Sequence, residues 1–418
     1  MGRRRRRKKR HLKIIPIIVT CILLIGIVFG ICYGIKYFKT DKEVEGKKKP
    51  EVVEKPKEYK TNLVMVGDAL IHSSVYNDAN RLAGGKGYDF KPQITYIKDI
   101  VKDYDIAYYN QETILGGTSI GLSNYPRFNS PWEFGEAMVD AGFNLVSLAT
   151  NHTIDSGRKA VLLSREFWNN QDGVQAVGSY SSLDEKKEIE SRILKVNNIT
   201  YAMLNYTYGT NGITVSDDYL VNVWPTDLNL NSVTTDSKYQ AYKDTVKKDI
   251  EALRDKVDVL IVAMHWGVEY THTPTAYEKD MAKFLADNKV DIVIGAHPHV
   301  IQPVEWIGDT IVFYSLGNFI SAQYQNQDTC TYYKCMVGLM SSLEITKTEY
   351  KNDVTIKIDN IKNDLIYTYY ANWRNFKVIP FSNGDIKNYL PKYKDVYNRY
   401  AEIISSDDDR ISVVPLAE

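Results

Sequence analysis

The histidines of this chain are few, and most of them stand beside other residues that bind metal ions. The 418 residues include seven His, and five of these lie in short polar segments that close or follow apolar, strand-like runs. The segments that carry metal-type side chains are VGDALIH (66–72), YYNQET (108–113), ATNHTIDSG (149–157), AMHWGVEY (263–270) and GAHPHV (295–300). Asp, Glu, Asn and His without Cys form an oxygen and nitrogen ligand set, which suits Mn, Zn, Fe, Mg or Ca. The pattern therefore predicts a divalent metal site that is assembled from distant parts of the chain.

The pair His297 and His299 suggests that two ions are bound side by side. Residues two apart at the end of a strand, or just past it, can direct both imidazoles to the same side. Two ions about 3.5–4 Å apart could then take one imidazole each, with a carboxylate such as Glu112 bridging them. Such a pair lowers the pKa of a bound water and screens charge on a phosphoryl-like transition state. Hydroxide, rather than a side chain, would then be the nucleophile.

His152 is the candidate proton donor. It follows Asn151 directly, so the two residues need not both be ligands, and Asp155 is close enough in sequence to orient its ring. We predict that His152 acts as general acid toward a leaving group, with Asp155 as its partner. His72 is left open between a ligand and a polar wall residue, because three residues separate it from Asp68.

Other polar and aromatic residues near these segments have weaker claims. Asn318 in YSLGNF either reaches the site or caps a turn. His272 is expected in a surface loop and Trp266 in the core. The additional candidates for the site are His72, Asn110, Glu269 and Asn318.

The elements that must position these segments have an α/β pattern. Apolar runs such as TNLVMVGD (61–68), VDVLIVAMH (257–265) and VDIVIGAH (290–297) alternate with helical patterns at 238–256 and 276–289. This alternation predicts an α/β fold with strands buried on both faces. Ligands in such sheets bind beyond the carboxyl ends of the strands, so the polar segments are expected to meet there.

The N-terminus predicts a membrane anchor. Residues 1–13 hold nine of the 52 Lys and Arg, and residues 14–35 hold no charge over 22 positions. About 20 apolar residues cross a bilayer, and a basic flank stays in the cytoplasm, so the rest of the chain is expected outside the cell. The predicted divisions are a basic cytoplasmic tail (1–13), a transmembrane helix (14–35), a charged flexible linker (36–60), the main domain (61–320) and antiparallel strands with a final helix that extend it (321–418).

The charge balance and the cysteines limit the partners and the compartment. The formal net charge is zero, and without the basic tail 43 basic groups face 52 acidic ones, so binding of nucleic acid is excluded for the main body. Gly26, Gly30 and Gly34 lie four apart in the apolar segment, which suggests association with other membrane helices, although Gly is common in such helices. Cys330 and Cys335 are left open between a disulfide and two free thiols.

At these segments the chain resembles the CapA/PgsA family of poly-γ-glutamate capsule biosynthesis proteins, whose members look like relatives of calcineurin-type metallophosphoesterases. The motifs that carry the resemblance are VGD, NQE, ATNHTIDSG, HWGVEY, GAHPHVIQPVEW and FYSLGNF, in family order over residues 61 to 320. The basic start, single anchor and tether also resemble that architecture. The implied fold is a four-layer sandwich of two mixed sheets flanked by helices, with a two-metal centre at one edge.

The resemblance also implies a set of metal ligands, and the chain departs from the pattern of ordinary phosphoesterases in two places. Asp68, Glu112 and His299 would hold one ion, and Glu112, Asn151, His265 and His297 the other, with His152 as the proton donor. Ordinary phosphoesterases begin with Asp-x-His, whereas His72 here is four residues after Asp68, and their bridging Asp is here Glu112.

Two functions follow as hypotheses. The first is a membrane-anchored extracellular protein of poly-γ-glutamate or related envelope-polymer synthesis, with a metal-dependent hydrolase site that acts on an anionic polymer or phosphorylated substrate. The second is a scaffold without turnover that binds polymer or other membrane subunits of a synthesis and export complex. The intact ligand set favours the first, and the altered first motif favours the second. The richness in Tyr, Lys and Asn is typical of a low-GC Gram-positive source.

Overall fold

The computed structural model describes residues 14–40, 55–224, 235–324 and 328–417, and within the first helix it describes the side chains of 20–33 and 35. The chain divides into two compact units, Met1–Lys55 and Pro56–Glu418. The first unit contains helix α1, Ile14–Thr40, whose described side chains are exposed. Among the described residues, no helix meets the combined length and apolarity that a bilayer crossing needs. The predicted membrane span is therefore not confirmed and stays a prediction. Residues 1–13, predicted as a cytoplasmic tail, lie outside the described residues, as do 41–54 of the predicted linker.

The second unit is built from strands and helices that alternate up to about residue 320. The strands are β1 (Lys57–Ala69), β2 (Ile106–Asn110), β3 (Leu145–Ser147), β4 (Gln175–Val177), β5 (Leu194–Val196), β6 (Ile199–Thr207), β7 (Val259–His265), β8 (Ile292–Ala296), β9 (Val304–Ile307), β10 (Thr310–Phe313), β11 (Asn318–Ile320), β12 (Val337–Tyr350), β13 (Asp353–Ala371) and β14 (Arg374–Pro380). The helices are α2 (Ser73–Leu82), α3 (Thr95–Val101), α4 (Trp132–Asp140), α5 (Gly157–Asn169), α6 (Leu183–Glu190), α7 (Ser237–Arg254), α8 (Ala276–Asp287), α9 (Ile386–Tyr389) and α10 (Tyr393–Ile404).

The described strands form two mixed sheets. The first has the order β14-β13-β12-β1-β2-β3-β4, with β11 beside the end of β1, and its strands β1 to β4 are parallel. The second has the order β5-β6-β7-β8-β10-β9, and β6, β7, β8 and β10 are parallel. The C-terminal strands extend the first sheet, because β12 pairs antiparallel with β1 from Lys57 to Val66.

Alternate residues of the central strands fill different cores, which shows that both sheets are covered on both faces. In β7, Val259 and Ile261 join the core between the two sheets, whereas Leu260 and Val262 join the core under α7 and α8. The first sheet has the same division, with a separate core under α2 to α5. Successive side chains of a strand point to opposite faces, so these continuous apolar runs require cover on each side. The predicted arrangement of two mixed sheets flanked by helices is confirmed.

Candidate metal centre

The predicted ligands meet at one edge of the sandwich, where the parallel strands of both sheets end. The oxygen ligands come from the first sheet and the imidazoles from the second. Asp68 lies near the end of β1, Glu112 follows β2, and Asn151 follows β3. His265 ends β7, and His297 and His299 follow β8. Parallel strands bring their carboxyl ends to the same edge of a sheet, which is why segments so distant in sequence converge here.

Three overlapping groups of these side chains are close enough to hold metal ions. Among the described residues, the groups are Glu112 with His265 and His297, Asp68 with Glu112 and His299, and Glu269 with His297 and His299, with all ligand atoms of a group within 4.8 Å of one another. Asn151 joins the first group, because its Oδ1 lies 2.9 Å from His265 Nε2. Glu112 belongs to two of the groups, which is the position that a carboxylate shared between two ions requires.

The complete burial of Glu112 is unusual for a carboxylate. Its side chain is 0% exposed, yet neither carboxylate oxygen has a hydrogen-bond partner among the described residues. Its nearest polar neighbours are His299 Nε2 at 3.5 Å and His265 Nε2 at 3.9 Å. The buried His297 Nδ1 also lacks a partner in the described part of the chain. Buried polar atoms are nearly always satisfied, and these unpartnered atoms are all of the types that coordinate divalent cations, so the residues present fit a metal.

The electrostatics of the cluster match this ligand role. Burial raises the pKa of Glu112 well above its ordinary value, with Asp68 adding to the shift and His299 opposing it. Burial also lowers the pKa of His265 and His297 well below the ordinary value, so both are neutral and can coordinate through a lone pair. For His299, burial acts in the same direction, but the carboxyl groups of Glu112 and Asp68 outweigh it and raise its pKa to about 10.

His297 and His299 lie just past β8, which ends at Ala296, and both have positive φ, +97° and +57°. A turn with two left-handed residues therefore brings the rings to a centroid separation of 5.9 Å. Such conformations are sparsely populated outside Gly, and they recur at functional sites where the surrounding structure holds them.

Three of the additional candidates orient ligands or line the cavity. Asn110 Nδ2 donates to Asp68 Oδ1 at 2.9 Å. Asn318 Oδ1 lies 3.1 Å from His299 Nδ1 and accepts a hydrogen bond from it, which leaves His299 Nε2 directed toward Glu112. His72 belongs to none of the ligand groups of the described residues; its Nδ1 accepts from the backbone N–H of Ala322, and its ring lines a cavity.

The structure also places the remaining candidate, Glu269, and the two residues that were expected outside the site, Trp266 and His272. Glu269 is exposed but reaches His297 and His299. Trp266 is fully buried and donates to Tyr314 O, as expected for a core residue. His272 lies outside the cluster, half-buried, with Nδ1 2.8 Å from Ile301 O.

His152 and Asp155 form the pair that the sequence predicted. His152 Nδ1 lies 2.6 Å from Asp155 Oδ2, and the same oxygen accepts a hydrogen bond from the backbone N–H of Phe128. Asn211 Nδ2 also approaches His152 Nδ1, at 3.3 Å, but the shorter contact with the carboxylate determines the tautomer. With Nδ1–H donated to Asp155, Nε2 is the nitrogen available to a substrate. His152 also lines a cavity of about 750 Å³ together with His299 and Glu269.

The sequence match to known proteins covers this whole cluster. Residues 62–323, more than half of the chain, match the family model described as bacterial capsule synthesis protein PGA_cap. The chain belongs to this family. The predicted metal ligands, from Asp68 to His299, all lie within the matched residues, and so do His152 and Asp155.

Named relatives of this PGA_cap protein come from two Bacillus species. The capsule biosynthesis protein CapA of Bacillus anthracis is 28% identical over 274 residues, which are 63% of this chain and 60% of that protein. The PGA biosynthesis protein CapA of Bacillus subtilis (strain 168) is 30% identical over 190 residues, 45% of each chain. The matches thus span about half of the length of these relatives. The solved structure of GAP50, the anchor in the inner membrane complex of Plasmodium, aligns with 86% of this chain and 98% of its own chain. The sequence identity is 8% and the TM-score is 0.32.

Three residues that the sequence analysis did not select support the PGA_cap site. Tyr208 follows β6, and its ring lies 4.5 Å from that of His297. Asn205, inside β6, accepts hydrogen bonds from the backbone N–H groups of Leu148 and Ala149, and so holds the segment that leads to Asn151. Asn211 accepts a hydrogen bond from Asn151. All three residues lie in or shortly after the strand-like run ITYAMLNYT, which ends at the same edge as β7. The run carries no His or acidic residue that would mark it as part of the site.

A disulfide closes the loop next to the PGA_cap site. Cys330 and Cys335 are bonded, with their Cα atoms 5.3 Å apart, which decides the alternative left open by the sequence. The loop is tied to the metal ligands, because Asn318 Nδ2 donates to Cys335 O while its Oδ1 faces His299. A disulfide is typical of proteins that mature in an oxidising compartment.

Metal binding to this cluster is expected to release protons and to weaken as the pH falls. His299 has a pKa of about 10 without metal, so it is protonated at neutral pH and must lose that proton to coordinate an ion. The apparent affinity should therefore drop about tenfold for each pH unit across the neutral range. Calorimetric titration in two buffers of different ionisation enthalpy would count the protons released. An affinity that does not change with pH would contradict this protonation state.

Proposed function

We propose that this protein is a membrane-anchored, outward-facing component of capsule synthesis, acting on poly-γ-glutamate or a related envelope polymer through a two-metal hydrolase-like site. The observation that carries the proposal is Glu112, a fully buried carboxylate without hydrogen-bond partners among the described residues, enclosed by His265, His297 and His299. Membership of the PGA_cap family supports the capsule role.

The residues divide into ligands and a proton donor. Asp68, Glu112 and His299 would hold one ion, and Glu112, Asn151, His265 and His297 the other. Two bound divalent ions would supply a hydroxide nucleophile at neutral pH and neutralise charge on the reacting group. His152 holds a proton at Nε2 for the leaving group when its ring is protonated, and Asp155 fixes the ring orientation through Nδ1.

The proposed membrane anchor rests on the N-terminal sequence. The sequence supports it with 22 consecutive uncharged residues, 14–35, after a strongly basic start. These residues lie in helix α1, which is 27 residues long. Gly26 and Gly30 are four residues apart and so lie on one face of this helix, where another helix can approach closely. We propose that other membrane subunits of a synthesis and export complex pack there.

Replacing His152 with Asn is expected to lower turnover about 100-fold or more while leaving bound metal unchanged. The reason is that His152 contacts Asp155 rather than a metal-ligand group, so its loss removes proton transfer alone. Metal content by mass spectrometry and kcat on the best substrate would be measured together. A parallel loss of metal and activity would show that His152 is structural or a ligand.

The function itself is tested with the unit Pro56–Glu418, which contains all the described cores. Phosphomonoesters, phosphodiesters and γ-glutamyl amides would be offered to the metal-loaded protein and to a His299→Ala variant. Hydrolysis of one class by the wild type, lost in the variant, supports the proposal. Absence of bound metal would remove the site assignment.

A scaffold without turnover is the second candidate, and one observation favours it. The position two residues after Asp68, which is His in ordinary phosphoesterases by the resemblance above, is Leu70 here, and Leu70 lines the cavity. A metal-loaded protein that binds polymer but hydrolyses none of the three substrate classes would establish this alternative.

A further inference from the structure

The cavity beside the metal centre has an aromatic outer wall that no sequence motif indicates. Trp373, in the turn between β13 and β14, and Tyr324, after β11, both line the cavity that His152 and His299 also line. Their side chains are 47% and 53% exposed. Both lie outside residues 62–323, which match the family model. Large aromatic rings half exposed at the mouth of a cleft are typical of binding surfaces rather than of a core.

The backbone at Trp373 is one that a bulky residue rarely adopts. Asn372 and Trp373 are the two central residues of a two-residue hairpin turn, with Ala371 paired to Arg374, and their φ values are +50° and +60°. Two positive φ values define a turn in which Asn followed by Gly is strongly preferred. Asn occupies its usual position, but Trp stands where Gly is favoured. A strained conformation that persists in a cleft indicates that the ring is needed there.

The rings around Trp373 form a corner. The Tyr370 ring stacks on Trp373 with centroids 5.3 Å apart and planes 17° apart, and so backs it from one side. The Tyr324 ring stands at 84° to Trp373, also with centroids 5.3 Å apart. A planar ligand such as a nucleobase would favour two parallel rings with a gap between them. Two perpendicular aromatic faces suit a ligand ring that presents C–H groups in more than one direction, such as a pyranose.

The described polar side chains that line the cavity away from the metal centre are neutral except for Arg374, which follows Trp373. Amides and hydroxyls contribute donors and acceptors in mixed array, from Ser73, Asn77, Asn124, Gln323 and Asn372. Among the described lining residues the fixed cation is Arg374 and the carboxylate is Glu269. A polyanion would need a row of cations along the cleft, while sugar hydroxyls, which both donate and accept, match amides and hydroxyls.

We propose that this aromatic corner is a sugar-binding subsite, and that the cleft takes a glycan whose anionic group, such as a phosphate, reaches the metal centre. The inference rests on the proposed function for that anionic end only. Trp373 and Tyr324 hold a pyranose face, and the amides around them bind its hydroxyls. Among the related envelope polymers of the proposed function, the substrate class is thereby narrowed to a phosphorylated or otherwise anionic glycan.

The test separates sugar binding from hydrolysis. The full-length protein, purified in detergent and stripped of metal with a chelator, is titrated by calorimetry with uncharged oligosaccharides of glucose and of N-acetylglucosamine. The variant is Trp373→Gly, because Gly suits the turn and should leave the melting temperature unchanged or higher. The control is Tyr350→Ala, an exposed aromatic at the end of β12 that does not line the cavity.

We expect saturable binding of at least one oligosaccharide, weakened about fivefold or more by Trp373→Gly and unchanged by Tyr350→Ala. No binding by the wild type at millimolar sugar, equal binding by Trp373→Gly, or Trp373-dependent binding of poly-γ-glutamate in place of sugars would each overturn the proposal. A lower melting temperature in Trp373→Gly would also overturn it, because the ring would then serve the fold. Sugar binding without metal uptake or hydrolysis would leave the subsite standing and reject the proposed function.

Discussion

Replacing Glu112 with Gln is expected to abolish metal binding and, at the same time, to make the metal-free protein more stable than the metal-free wild type. The carboxylate belongs to two ligand groups, so its loss should weaken affinity for both ions by more than about 100-fold. Without metal, burial holds its pKa well above the ordinary value, so the charged form opposes folding. Above the pKa of the unfolded chain, the neutral amide removes that penalty, so the metal-free variant should unfold at a higher urea concentration.

Two measurements on the same preparation check this opposite pair of effects. Metal content is measured after dialysis against Mn or Zn, and the free energy of unfolding is measured in urea with chelator at mildly alkaline pH. Glu136→Gln is a matched control, because Glu136 is exposed on α4 and lies outside the ligand groups. A Glu112→Gln protein that keeps both ions, or that unfolds more easily than the wild type without metal, would contradict the role given to Glu112.

Removing metal from the wild-type protein is expected to lower its thermal stability by several degrees. An ion that binds only the folded state stabilises it by about 4 kcal/mol at 1,000 times its dissociation constant. For a unit of this size the melting temperature should fall by roughly 5–10 °C when a chelator is added. The Glu112→Gln protein should show no such response. Identical melting curves of the wild type with and without chelator would mean that the cluster does not hold metal.

The convergence of the site was predictable because it depends on local patterns. Asp68, Glu112, Asn151 and His265 each close or follow an apolar strand, and parallel strands place such ends at one edge whatever their order in the sheet. The pairing of Nδ1 of His152 with Asp155 was predictable for the same reason, since the two residues are three positions apart in one short loop.

The parts that no local pattern predicts depend on long-range packing. The separation of the strands into two sheets was expected from the family resemblance alone, because it follows from pairings such as Leu63 with Leu343, which no local pattern encodes. The turn at His297 and His299 is held by tertiary contacts, since the backbone N–H of His297 faces Asp68. Trp373 reaches the cavity because β13 and β14 return to the edge that carries the metal ligands, and a hairpin's sequence does not reveal which surface its tip approaches.

The division of the ligands between the two sheets has a consequence for biogenesis. The oxygen donors of the first sheet, Asp68, Glu112 and Asn151, precede His265, His297 and His299 in the chain, so a nascent polypeptide offers only the acidic and amide donors of this set until His265 emerges. Hard ions such as Mg or Ca suit acidic and amide donors, whereas nitrogen donors select for Mn, Fe or Zn. An ion that needs the imidazoles can therefore bind only after the second half of the chain has folded.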